Sequence, residues 1–154
     1  MRELAKLRAL TGRERRLLFF CLAATPVVAV SLSIFGFRRL QTAMARWPRP
    51  RSARWKTEQD VAAWARSAAS VVAIAAGSGP VRATCLRRSL LLWWILRRDG
   101  IATVLRVGVN RESGELRAHA WVEHRGRPLN DADDIALRFS AFEQDFGASP
   151  ERAS

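Results

Sequence analysis

An uncharged apolar run stands out in the early part of the chain. Residues 17–37 contain no charged side chain. Basic residues border the run on both sides: Arg13, Arg15, Arg16, Arg38 and Arg39. As a helix the run would be about 30 Å long, which is long enough to cross a bilayer. Pro26 near its middle argues against crossing. The run therefore has three alternative interpretations: a transmembrane helix, a membrane-surface helix, or a helix buried against the rest of the protein.

The pattern after Trp55 predicts a second helix. Thr57 and Asp60 have the spacing of a capping box, with Asp in place of the usual Glu. Apolar side chains then recur at helical spacing: Val61, Trp64, Ala68, Val71 and Ala75. Because residues 77–80 read Gly-Ser-Gly-Pro, this helix is expected to end near Ala76.

A third helix is expected to begin near Cys85. Residues 85–98 lack Gly and Pro, and their apolar side chains repeat at helical spacing. Thr84 is suited to the N-cap, and Gly100 stands where a left-handed residue commonly ends a helix. Cys85 then lies in the first turn, next to backbone N–H groups that have no acceptor within the helix. We expect the second helix to pack against this one.

The pattern then changes to one of extended strands. Residues 102–109 are rich in Val and Thr, and a turn-like segment separates them from residues 115–123. Apolar and polar positions alternate in the second segment, so His119 and Trp121 project from the same face. A β-hairpin is the expected structure.

Residues after the hairpin are expected to extend the sheet. A turn allows residues 128–131 to begin a third strand, antiparallel to the strand that carries His119. Counting back through this turn places Asp131 close to His119. Asp133 has the same strand parity as Asp131, so alternation does not choose between the two carboxylates. Residues 135–146 are expected to add a strand or a helix that covers the sheet.

Composition and charge divide the chain into two parts. Hydrophobic residues make up 49% of the 154 residues, which is enough for one folded domain. Of the net charge of +12, residues 1–57 carry +11, from 13 basic and two acidic side chains. We therefore expect a basic N-terminal arm at residues 1–57, containing the apolar helix 17–37, and a catalytic domain at residues 58–154. The Arg- and Pro-rich residues 46–55 read as a linker.

Several classes of function lack their sequence signals. No helix-turn-helix, zinc-finger or RNA-binding signature accompanies the basic residues, so nucleic-acid binding is not expected. The two cysteines and two histidines lack paired-ligand spacing, which argues against a zinc site. The sequence also has no phosphate-binding Gly-x-x-x-x-Gly-Lys loop. We therefore expect neither a metal nor an organic cofactor.

Cys85, His119 and Asp131 form the candidate catalytic set. A helix N-terminus and a nearby imidazolium both favour the thiolate, which is the form in which a cysteine attacks. A carboxylate bound to one imidazole nitrogen leaves the other nitrogen to take the thiol proton. Each residue alone is usually structural, but a cysteine at a helix start followed by histidine and aspartate on neighbouring strands is the arrangement of papain-like folds. The sequence therefore predicts an α+β fold, with N-terminal helices followed by a small antiparallel sheet.

Four short motifs occur together in the second half of the chain. They are Cys-Leu-x-Arg-Ser-Leu-x-Leu at 85–92, Arg-x-Gly-Ile at 98–101, the Gly-Val that ends a strand at 108–109, and Ala-His-Ala-Trp-Val-Glu at 118–123 with Gly-Arg-Pro-Leu following. In combination they resemble the transglutaminase-like leader peptidases of lasso peptide biosynthesis, and the first motif narrows the resemblance to this family. The resemblance implies a transglutaminase-like (papain-like) cysteine peptidase fold, with Cys85 as nucleophile, His119 as base and Asp131 as the acidic third member.

The resemblance also implies a reaction and its partners. Such an enzyme removes the leader peptide from a ribosomal precursor through a thioester, which frees the amine that an ATP-dependent lasso cyclase joins to a side-chain carboxylate. Because the sequence shows no winged-helix leader-recognition domain, a separate small leader-recognition protein is expected. Trp121, on the face of His119, is expected to line the substrate groove. We expect the protein in the cytoplasm or at the cytoplasmic face of the membrane, which the N-terminal arm would contact.

Two other functions stay open. A transglutaminase-like acyl transferase would use the same triad but pass the thioester to an amine. A non-catalytic, membrane-associated interaction protein would not depend on Cys85. The fate of the thioester distinguishes an acyl transferase from a peptidase. The effect of replacing Cys85 distinguishes a non-catalytic interaction protein from either enzyme.

Overall fold

The computed structural model describes residues 10–46, 55–78, 84–112 and 115–141. Helices and strands follow one another in the order α1 (Gly12–Arg46), α2 (Glu58–Ser78), α3 (Cys85–Arg98), β1 (Val104–Glu112), β2 (Glu115–His124), β3 (Arg127–Pro128), α4 (Ile135–Arg138) and β4 (Ser140–Ala141). Three long helices therefore precede a small antiparallel sheet, and the predicted α+β fold class is confirmed.

The starts of α2 and α3 follow the capping signals of the sequence. Thr57 N–H donates to Asp60 Oδ2, and Asp60 N–H donates to Thr57 Oγ1, both at 3.1 Å, so the predicted capping box forms. At α3 the Thr84 hydroxyl accepts from Arg87 N–H at 3.5 Å. Gly100, after the end of α3, has a positive φ of 79°, as the sequence predicted for a left-handed residue there.

α1 is longer than the helix predicted at residues 17–37, and it is broken near its end. Gly36 has φ 74° and ψ 167°, which separates a long segment, residues 12–35, from a short one, residues 37–46. A positive φ costs glycine little because glycine has no Cβ. Pro26 lies inside the long segment without ending it. The apolar pattern alone did not predict the break.

The hydrophobic core lies between α1, α2, α3 and one face of the sheet. α3 supplies most of its large, fully buried side chains, including Trp93. The predicted packing of α2 against α3 is confirmed. One face of α1 contributes Leu17, Leu18, Cys21 and Val28 to the same core, so the segment expected to form an arm packs on the domain that follows it.

α1 and α2 are both long and apolar enough to cross a membrane. Core helices of soluble proteins share these properties, and α2 contributes a full face to the core: Ala65, Ala68, Val71, Val72 and Ala75. Length and composition therefore do not by themselves place either helix in a bilayer.

The sheet has the strand order β3-β2-β1-β4, and all its pairs are antiparallel. β1 and β2 form the predicted hairpin. The predicted third strand is shorter than expected, because Val122 N–H bonds to the Asn130 side chain rather than to a backbone carbonyl. Asp131 consequently lies in a loop. α4 and β4 continue the chain after residue 134, whereas most of the predicted linker and residues 142–146 lie outside the described residues.

Candidate active site

The imidazole of His119 and the carboxylate of Asp131 are in direct contact. His119 Nε2 lies 2.5 Å from Asp131 Oδ2. The two side chains are partly buried, with 22% and 18% of their surfaces exposed. A proton on Nε2 is therefore held by the carboxylate, which leaves Nδ1 as the nitrogen able to accept a proton from a nucleophile. Asp133 is exposed, so the structure pairs Asp131 with the imidazole.

The pKa of Asp131 lies below its ordinary value. Partial burial raises this pKa, but the hydrogen bonds from His119 and from Ala132 N–H, with the positive charges of His119 and Arg88, lower it by more. Asp131 is therefore ionised at neutral pH. Because its folded form binds a proton less well than its unfolded form, the stability that Asp131 contributes is complete above the ordinary pKa and is lost as the pH falls through the lowered one.

The first turns of α3 face the His119 strand. Cys85 is the first residue of α3 and is partly exposed. Ser89 lies four residues later, on the same side of the helix. Its hydroxyl donates to Ala120 O at 2.8 Å, and Ala120 follows His119 in β2. Cys85 therefore lies on the side of α3 that meets this strand.

Asn130 ties the Asp131 loop to both α3 and β2. Its Nδ2 donates to Ser89 Oγ and its Oδ1 accepts from Val122 N–H, both at 2.8 Å. The helix, the strand and the loop that carry the candidate catalytic residues are thus joined by one chain of hydrogen bonds. No sequence pattern predicted this network. The sequence feature that could have indicated it is Ser89, a polar residue directly before the apolar run 90–96, and its side chain is fully buried.

Two aromatic rings flank the imidazole of His119. The ring centroid of Phe139 lies 5.1 Å away, and that of Trp121 lies 6.4 Å away in a stacked arrangement. Trp121 is fully buried, and its Nε1 donates to Glu123 Oε1 at 2.7 Å. This differs from the prediction that Trp121 lines the substrate groove. A side chain with no exposed surface supports the imidazole instead of meeting a substrate, and Phe139 was not predicted at all.

The packing beside His119 requires glycine at position 108. Gly108 lies opposite His119 in the register of β1 and β2. A Cβ at this position would lie 3.0 Å from the Trp121 indole and 3.0 Å from Ser140 O. Because real Cβ contacts are rarely so short, glycine allows both the indole and β4 to approach β1. The Gly-Val segment noted in the sequence therefore has a packing reason.

The start of α3 leaves two backbone donors beside the Cys85 thiol. Arg87 N–H bonds to Thr84 Oγ1, and Arg88 N–H bonds to Thr84 O. Helical geometry gives the N–H groups of Cys85 and Leu86 no acceptor inside the helix. With the positive end of the helix dipole, they can stabilise negative charge on a carbonyl oxygen held at this turn.

The two cysteines have different environments. Burial raises the pKa of the Cys21 thiol to about 12, although the charge of Arg98 opposes the shift. Cys21 is fully buried, whereas Cys85 is partly exposed. Cys21 should therefore remain a protonated, inaccessible thiol at neutral pH, which makes it an internal reference in labelling experiments.

The described residues contain no group of three or more His, Cys, Asp or Glu side chains placed to hold a metal ion. The structure does place an imidazole paired with a carboxylate beside a helix that begins with a cysteine. This set of groups is the one used in nucleophilic catalysis by a thiol.

Replacing Asp131 by asparagine is expected to slow Cys85-dependent turnover by about ten-fold or more. The neutral amide still orients His119, but it no longer stabilises an imidazolium. The matched variant Asp133→Asn removes the same charge from an exposed position and should change turnover by less than about two-fold. Steady-state assays of the two variants measure the difference. A larger loss from Asp133→Asn would mean that Asp131 is not the functional partner of the imidazole.

Comparison with known proteins assigns the chain to a superfamily. The family model described as the transglutaminase-like superfamily matches residues 24–143, which is more than half of the chain. The match includes α2, α3 and the four strands, and so it contains Cys85, His119 and Asp131. Neither the curated proteins nor the solved structures gave a significant match. On the extent of the family match, the chain belongs to the transglutaminase-like superfamily.

Proposed function

We propose that this protein is a cysteine peptidase that removes the leader from a ribosomally made lasso-peptide precursor. The His119–Asp131 pair, beside the helix that begins with Cys85, is the observation that carries this proposal. Superfamily membership supports acyl chemistry at a thiol. The motif Cys-Leu-x-Arg-Ser-Leu at residues 85–90 supports the leader-peptidase branch.

In the first half of the proposed reaction, Cys85 attacks the carbonyl carbon of the scissile peptide bond. His119 Nδ1 takes the thiol proton, and Asp131 stabilises the resulting imidazolium through Nε2–H. The N–H groups of Cys85 and Leu86 bind the oxyanion. The imidazolium then gives its proton to the leaving amine, which departs as the new N-terminus of the core peptide. The leader remains bound to Cys85 as a thioester.

Water completes the proposed reaction. His119 takes a proton from a water molecule whose oxygen attacks the thioester carbonyl, and the Cys85 thiolate leaves and recovers that proton. The leader departs as a carboxylate, so one water is consumed for each peptide bond broken. None of these steps needs a cofactor.

The proposed function also defines the partners. A separate small leader-recognition protein would hold the leader, and an ATP-dependent lasso cyclase would join the freed amine to a side-chain carboxylate. All three proteins would work on the cytoplasmic side, where ribosomal precursors and ATP are found. These partners follow from the leader-peptidase resemblance rather than from any contact of the described residues.

Reconstitution with purified components tests the proposal. The full chain is incubated with a candidate precursor and a leader-recognition protein from the same gene neighbourhood, and the products are weighed by mass spectrometry. We expect two fragments whose masses add up to the precursor plus one water, and no cleavage by Cys85→Ala. A leader attached to an added primary amine would instead identify an acyl transferase. An intact precursor, with protein whose Cys85 still reacts with iodoacetamide, would contradict the proposal.

A further inference from the structure

The outer face of α1 is an exposed apolar surface. Five side chains form it, and we call them the α1 stripe: Phe19, Ala23, Val27, Val30 and Ile34. The four large ones are between 57% and 70% exposed. Their spacing of four, four, three and four residues places all five on one side of the helix, over about 22 Å. Phe35, which is 56% exposed, extends the surface to the break at Gly36.

The opposite face of the same segment belongs to the core. Six of its residues are buried: Leu17, Leu18, Cys21, Thr25, Val28 and Ala29. Both faces of α1 are therefore apolar, but only one of them is buried. A helix with apolar side chains on every face is ordinarily buried completely. An exposed apolar surface of this length marks a binding site. Ala23 and Val27 also border an open apolar groove of about 460 Å³ between α1 and α3.

The charges around the α1 stripe favour an anionic partner. Arg15 and Arg16 are exposed before it, and Arg38 and Arg39 are exposed directly after the break that ends its segment. The sequence has no acidic residue at positions 15–57. A bilayer with anionic headgroups can bind both the α1 stripe and the flanking arginines. Its acyl region accepts apolar side chains, and its phosphates bind guanidinium groups.

We propose that α1 lies in the surface of an anionic lipid bilayer, with the α1 stripe below the headgroups and the four flanking arginines among them. The helix lies along the interface, because its other face packs on α2 and α3. Crossing the bilayer would remove Cys21, which is fully buried, from the core. A second copy of the chain fits the surface less well, because it would bring eight arginines together, and positions 15–57 hold no acidic residue to pair with them.

Vesicle sedimentation with the full chain tests this proposal. We expect the protein to bind vesicles made of equal parts of phosphatidylcholine and phosphatidylglycerol. The double variant Val30→Glu/Ile34→Glu should lower the partition coefficient by about ten-fold or more, because it places charge in the acyl region. Leu137→Glu is the matched control, since it makes a similar change at a 90% exposed side chain of α4, away from the α1 stripe. This control should bind as the unchanged protein does.

A second variant measures how much the arginine charges contribute to vesicle binding, and it does not alter the core. Arg38→Glu/Arg39→Glu changes only exposed side chains and should weaken binding to the anionic vesicles by about ten-fold, with little effect on phosphatidylcholine vesicles. Circular dichroism checks that each variant is folded. If Val30→Glu/Ile34→Glu does not fold, vesicle binding by Arg38→Glu/Arg39→Glu tests the proposal.

Three results would overturn the proposal. One is equal vesicle binding by the stripe variant and Leu137→Glu. Another is wild-type protein that does not bind the vesicles. This result includes wild-type protein that forms a dimer which Val30→Glu/Ile34→Glu dissociates. The third is vesicle-bound protein that resists extraction with alkaline carbonate, which would identify a helix that crosses the bilayer. We expect carbonate to release the protein.

Discussion

Replacing Cys85 by serine is expected to lower precursor cleavage by about 10³-fold or more. Serine preserves the size and the hydrogen-bonding capacity of the side chain, so α3 and its Thr84 cap should be retained. A hydroxyl is far harder to ionise than a thiol, and the His119–Asp131 pair would have to remove a much less acidic proton. Steady-state cleavage of the same precursor by the two proteins measures the loss.

Cys21→Ala is the matched control for the Cys85 variant. It removes the other thiol of the chain, which is fully buried and has a pKa raised to about 12. We expect it to lower the free energy of unfolding by about 1 kcal/mol through a small cavity, while turnover per folded molecule stays unchanged. Thermal unfolding and cleavage assays report the two effects separately. A Cys85→Ser protein with full biological activity would favour the non-catalytic interaction protein.

Local signals predicted much of the fold. The caps at Thr57 and Thr84 follow from hydrogen bonds between residues three apart, so short spacing in the sequence was enough to find them. The hairpin followed from alternation on either side of a turn. Asp131 was placed near His119 by counting through the next turn, although it lies in a loop and not in the predicted strand.

The features that sequence reasoning missed depend on residues far apart in the chain. Alternation predicted the face of Trp121 but not that this side chain is fully buried, nor that Phe139, from further along the chain, lies beside the His119 imidazole. The bond between Asn130 and Ser89 joins positions 41 residues apart. A uniformly apolar helix such as α1 also has no sequence pattern that shows which face turns inward. Its buried and exposed sides are set by packing on α2 and α3.

Replacing His119 by alanine is expected to lower turnover by about 10²- to 10⁴-fold, because no group then accepts the thiol proton or protonates the leaving amine. The same change should reduce alkylation of Cys85 at neutral pH, since an imidazolium beside the sulfur favours the thiolate. His124→Ala is the matched control. His124 is the other histidine of the chain, and its Nδ1 lies 2.7 Å from Ala102 O, away from the His119–Asp131 contact.

The pH dependence of Cys85 alkylation tests most directly whether the sulfur and the imidazole act as a pair. Iodoacetamide labelling is followed by mass spectrometry across the neutral and alkaline range, with the buried Cys21 as internal reference. We predict that Cys85 of the wild-type protein and of His124→Ala reacts at neutral pH. In His119→Ala the alkylation rate should be at least about ten-fold lower at neutral pH, and should recover only at alkaline pH. Identical profiles for all three proteins would contradict the pairing of Cys85 with His119, and with it the proposed mechanism.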